Sequence, residues 1–122
     1  MDGAVYQKSM DFSVRIVRLY QFLCNERKEY VISKQILRSG TSIGANIREG
    51  RYAESKEDFA HKLSIALKET SETEYWLELL YRTDFLSHLE YESIHEDCVA
   101  LAKFLTAIVK TTKNRYPRTG AK

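Results

Sequence analysis

Proline occurs once in 122 residues and glycine five times. That is too few turn formers for many tight hairpins, which argues against a β-rich fold. Cysteine occurs twice, at Cys24 and Cys98, each inside an apolar pattern of helical period. Two such residues read as buried free thiols of a cytoplasmic protein rather than as a disulfide framework. No apolar run approaches the roughly 18 residues of a membrane span, so no membrane partner is expected. The opening MDGAVYQKSM lacks a basic region followed by an apolar block, so no signal peptide is expected. Internal repeats and low-complexity segments are also missing.

What is present fits one helical domain. Hydrophobic residues make up 43% and charged residues 30%, enough for a single buried core under a solvated surface. The net charge of +2 hides a split. The last 13 residues, KTTKNRYPRTGAK, hold five basic residues and no acid. Asp84, Glu90, Glu92, Glu96 and Asp97 lie together in a window without Lys or Arg. A basic end on a near-neutral body suits nucleic acid or an acidic partner.

Four segments carry helical periodicity. The first runs from about Val5 to Arg27, with Phe12, Ile16, Leu19 and Leu23 at steps of four, three and four. Met10, Val14, Val17 and Cys24 form a second stripe beside them, which predicts a broad apolar face. The second segment, about Ser33 to Glu49, repeats the spacing with Ile36, Gly40, Ile43 and Ile47. The third opens at Ser55, where SKED supplies an N-cap with an acid three residues on, and extends toward Phe85. The fourth opens at Ser87, where SHLE repeats that cap, and ends before Pro117 and Gly120. The expected fold is all-α, an antiparallel up-and-down four-helix bundle over residues 1–114, with 115–122 a basic flexible C-terminal tail.

RSGTSIGANIREGR, residues 38–51, stands apart. As a phosphate loop it fails, because no lysine and hydroxyl follow its glycines and no strand precedes it. As a helix it places Gly40 on the apolar stripe and Gly44 one turn on. Mid-helix glycine costs about 1 kcal/mol relative to alanine. Close approach of another backbone, or a bulky Trp76 or Tyr75 filling the space, would offset that. Gln35, Ser39, Ser42, Asn46 and Glu49 form an uncharged stripe until its last member. Such a stripe predicts a polar seam, within the subunit or between subunits. Glu49, poorly placed for the helix dipole, predicts a partner among Arg38, Arg48 and Arg51.

Chemistry finds little foothold. Asp58-x-x-His61 and Glu92-x-x-His95 have the spacing of a di-iron bundle, yet the apolar stripes turn other residues inward. No nucleophile elbow exists, and both thiols sit on apolar faces. No metal, no cofactor and no catalysis are expected. Basic residues carry more: Lys34, Arg38 and Arg48 share a face, with Arg51 just beyond. Lys110, Lys113, Arg115 and Arg118 form a second patch. Both suit phosphate contact, and Tyr52 and Tyr116 sit where they could stack on bases.

The run from Ile36 to Leu80 also carries a family likeness. Its core is Arg38, Ser42-Ile43, Ala45-Asn46-Ile47 and Glu49-Gly50. Ser55, Phe59, Ala66-Leu67-Lys68-Glu69 and Glu72-Thr73-Glu74-Tyr75-Trp76-Leu77 follow. Ser9-Met10-Asp11-Phe12 and Tyr91-Glu92-Ser93 match more loosely. The chain resembles bacterial four-helix-bundle proteins related to those encoded in intervening sequences of 23S ribosomal RNA genes. Gly44 and Arg48 depart from that pattern without touching the fold. The resemblance implies an antiparallel bundle assembled as a homo-oligomeric ring, typically a pentamer, with no enzymatic activity. A related branch, the accessory proteins of diversity-generating retroelements, binds nucleic acid and a reverse transcriptase. The function expected is thus a non-catalytic bundle binding RNA or a nucleoprotein partner, the alternative being a protein–protein adaptor.

Overall fold

The 3.6-residue period of the four stripes becomes four helices in a computed structural model, which describes residues 3–115 and the side chains of 3–112. They are α1 (Gly3–Asn25), α2 (Ile32–Arg51), α3 (Lys56–Arg82) and α4 (His88–Arg115). Each packs on the next in chain order, and α4 returns to α1 along a thinner seam. This is the all-α up-and-down four-helix bundle. Its core takes Phe12, Ile16 and Leu23 from α1, and Ile36, Ile43 and Ile47 from α2. Leu63, Leu77 and Leu80 come from α3, and Cys98, Leu101 and Leu105 from α4. Burial of each of these Phe, Ile and Leu side chains contributes about 1.5–3 kcal/mol. The Lys113, Arg115 and Arg118 side chains, and the expected tail, lie outside the described residues.

The predicted caps form. Ser55 Oγ accepts the Asp58 N–H at 3.0 Å, and Glu57 and Asp58 place negative charge in the first turn of α3. Ser87 and Glu90 close a reciprocal box: Ser87 Oγ accepts from Glu90 N at 3.1 Å, and the Glu90 carboxylate accepts from Ser87 N at 2.8 Å. The start of α2 is capped differently. Val31 has no side-chain cap. The Glu29 carboxylate instead reaches forward and accepts from the N–H groups of Val31, Ile32 and Ser33 at 3.2, 3.1 and 2.7 Å.

Two readings change. Met10, Val14 and Val17 do not broaden the core; they are 45%, 43% and 39% exposed. With neighbours on only two sides, α1 buries one stripe and turns these three outward. Cys24, the fourth member of the second stripe, is half-buried rather than buried, its thiol 3.7 Å from Ser33 Oγ. Gly40 makes room not for Trp76 or Tyr75 but for Ile16, since a Cβ there would stand 2.7 Å from its Cγ1. Gly44 is the backbone approach: a Cβ would stand 3.0 Å from Ser13 Oγ and 3.4 Å from the Ser9 carbonyl oxygen.

Candidate nucleic-acid interface

The helix-two arginines share a sequence motif but not an environment. Arg38 leans toward α3, where its guanidinium bonds the carboxylates of Glu69, at 3.3 Å, and Glu72. Trp76 Nε1 donates to the same Glu72 carboxylate at 2.9 Å. Its charge is therefore balanced inside the chain. Arg48 and Arg51 are exposed and make no ion pair with any carboxylate among the described residues. Arg51 turns toward α1 and lies over the Tyr6 ring, 4.6 Å from its centroid. Lys34 is exposed near the opposite end of α2, about 25 Å from Arg51 at 1.5 Å per residue. The up-and-down order brings the C-terminal ends of α2 and α4 to one end of the bundle, so exposed Lys110 shares that end with Arg48 and Arg51.

Between α1 and α2 at that end runs a groove of about 460 Å³. Tyr6, Met10 and Ser13 line it from α1, and Thr41, Gly44, Arg48 and Arg51 from α2. Burial raises the Tyr6 phenol above its ordinary value, with Arg51 opposing and Tyr52 adding. That ring stays a neutral stacking surface at physiological pH.

The polar stripe of α2 divides along its length. Ser39 is fully buried, and its hydroxyl and that of Thr73 hydrogen-bond at 3.0 Å, inside the subunit. Ser42 Oγ donates to the Arg38 carbonyl at 2.7 Å, and Asn46 Nδ2 to the Ser42 carbonyl at 2.9 Å, both within α2. Gln35 is exposed. Glu49 pairs with Lys62 of α3 at 2.9 Å, not with an arginine, because its face of α2 looks toward α3 while Arg48 and Arg51 point away. The Glu49 carboxylate lifts the Lys62 ammonium above its ordinary value, first through that hydrogen bond and then by its charge.

The acid–histidine pairs serve other ends. Asp58 accepts from the Glu54 N–H at 3.2 Å, beside the α3 cap, and His61 is exposed. His95 stacks on Tyr91, centroids 5.0 Å apart, and approaches Glu74 at 3.6 Å, while Glu92 pairs with His88 at 3.1 Å. Tyr91 in turn stacks flat on Tyr81 at 4.6 Å. Sequence reasoning missed that column, because its rings come from two helices whose rotation no spacing reveals. It also missed Arg15, which ties α1 to α4 through Asp97 at 2.7 Å and Ser93 Oγ at 3.0 Å. Groups of three or more metal-binding side chains are absent among the described residues. No described helix is long and apolar enough to cross a membrane.

A four-helix bundle with a close-packed second helix and one basic end defines the class. Comparison with known proteins narrows it: residues 1–107 match the family described as 23S rRNA-intervening sequence protein. The chain belongs to that family. It is similar to the crystal structure of a protein of unknown function from the S23 ribosomal protein family of Bacteroides thetaiotaomicron VPI-5482. The two share 61% identity and a TM-score of 0.87, over 88% of this chain and 99% of that one. No curated protein matches the chain. Neither description names a reaction.

Proposed function

We propose that the protein is a non-catalytic, homo-oligomeric cytoplasmic bundle that binds RNA, or a nucleoprotein partner such as a reverse transcriptase complex, through its basic end. The carrying observation is the pair Arg48 and Arg51, exposed and without a carboxylate partner among the described residues. An unneutralised guanidinium pair releases counterions when it meets phosphate, and that release drives binding. Exposed Lys110 would extend the footprint at the same end. Arg38 contributes less on this reading, because it would first have to leave Glu69 and Glu72.

Self-association is part of the reading. Val14 and Val17 on α1 and Leu89 on α4, 77% exposed, offer apolar surface for protein contact. The family likeness makes a pentameric ring the expected form. The same side chains favour the second reading, a protein–protein adaptor without nucleic-acid binding.

Titrating labelled RNA against the protein at rising salt separates the two. RNA binding predicts an affinity that falls steeply as salt rises. Absence of binding at low salt, or binding indifferent to salt, leaves the adaptor. Light scattering measures the assembly directly, and a monomer would remove the oligomeric part.

A further inference from the structure

We infer that the α1–α2 groove is a site for single-stranded nucleic acid, one base entering the groove while the flanking phosphates meet Arg48 and Arg51. The inference rests on the RNA-binding reading and goes further by naming the pocket and the form of nucleic acid it takes.

The groove is a product of residue size. Gly44 lets α1 approach until Ser9 and Ser13 form part of its floor, while Tyr6 and Met10 stand up as walls. At about 460 Å³ it falls within the range of small-molecule sites, room for one planar base. Its floor is free of charge, so a base can enter without stranding an ionic group. Thr41 Oγ1 is already committed to the Leu37 carbonyl at 2.7 Å, and Ser9 Oγ to the Tyr6 carbonyl at 2.9 Å. Ser13 Oγ has no such bond among the described residues and faces the groove, available to a base edge.

Charge is confined to one end. Glu49 also borders the groove, but Lys62 holds its carboxylate on the α3 side. What remains is two guanidiniums, one already stacked on Tyr6. A base laid on Arg51 would continue that stack, and stacking contributes about 1–3 kcal/mol per base. In a duplex the bases are paired and stacked inside the helix and cannot enter, so a single strand, loop or bulge is the form that fits.

Anisotropy of a short labelled single-stranded RNA, with the full chain and its variants, tests this. Ala45→Phe removes no charge and fills the groove from an exposed position on its border. It should weaken binding about tenfold, within the stacking range, while helical content and oligomeric mass stay as in the wild type. Arg48→Gln with Arg51→Gln should weaken binding and reduce the salt slope by about 1.4, or 0.7 for each phosphate contact on a single strand. Lys34→Gln, remote on α2, should change affinity less than twofold. If the wild type binds and Ala45→Phe binds equally well, the groove is not the site, though the RNA reading stands. If Ala45→Phe instead shifts the mass and leaves RNA binding intact, a second copy covers this face and the inference falls. If the wild type shows no salt-dependent binding, the RNA reading fails and takes the groove with it.

Discussion

Single atoms decide what the unusual residues of α2 do. A methyl group at position 40 would press on Ile16, which is fully buried, with all three contacts under 3.0 Å. Overpacking of that kind costs about 1–3 kcal/mol, more than the roughly 1 kcal/mol that alanine gains in helix propensity. Gly40→Ala should therefore lower stability by about 1 kcal/mol in urea unfolding. Gly44→Ala meets the rotatable Ser13 hydroxyl at 3.0 Å and touches the Ser9 carbonyl oxygen at an ordinary contact distance of 3.4 Å, so it should be neutral or slightly stabilising. An equal loss at both sites would contradict this assignment of the two glycines. Cys98 is a second case. Burial first, then the charges of Glu74 and Asp97, push its thiol from 9.0 up to about 12. The folded protein therefore holds it protonated more firmly than the unfolded chain does. Its contribution to stability is complete below pH 9 and is lost as pH climbs toward 12. Compared with Cys98→Ala, the wild type should lose up to about 1 kcal/mol more per pH unit across that window. Parallel pH profiles for the two would refute it. At pH 8 Cys98 should also resist thiol reagents until the protein unfolds.

Helix ends show which local rules sequence reveals. Ser55 and Ser87 were legible because cap and acid lie three residues apart, and both caps form. The link from α1 to α2 was not. It contains no glycine or proline, and Lys28 turns the chain with a φ of 55°. Glu29 then does the capping from outside the usual position, accepting from three N–H groups. Glu29→Ala should cost about 1–2 kcal/mol by thermal unfolding, because three donors lose a charged acceptor. A loss comparable to that of an exposed surface substitution would show that water satisfies those donors equally well. In the same link, the Arg27 guanidinium braces that end against the α3–α4 loop, donating to the Phe85 and Asp84 carbonyls at 3.0 and 3.1 Å.

Across the whole molecule, the bundle and its core were readable from spacing alone, since Ile16, Ile36, Ile43 and Leu77 recur at helical steps and all end buried. The site was less readable, for a physical reason. A side chain's partner on another helix depends on rotation and stagger, which period does not encode. Lys34, Arg38, Arg48 and Arg51 looked alike along the chain. Only packing revealed that α3 neutralises Arg38 while Arg48 and Arg51 border a groove with Tyr6. Glu49 found Lys62 by the same rule. The assembled picture is a bundle in which α2 and α4 deliver exposed Arg48, Arg51 and Lys110 to one end, beside the α1–α2 groove proposed to take a base. Photo-cross-linking of bound single-stranded RNA, followed by mapping of the adducts, tests that picture most directly. Adducts on Tyr6, Met10 and the C-terminal half of α2 are the predicted result. Adducts confined to the α3 and α4 faces would contradict it.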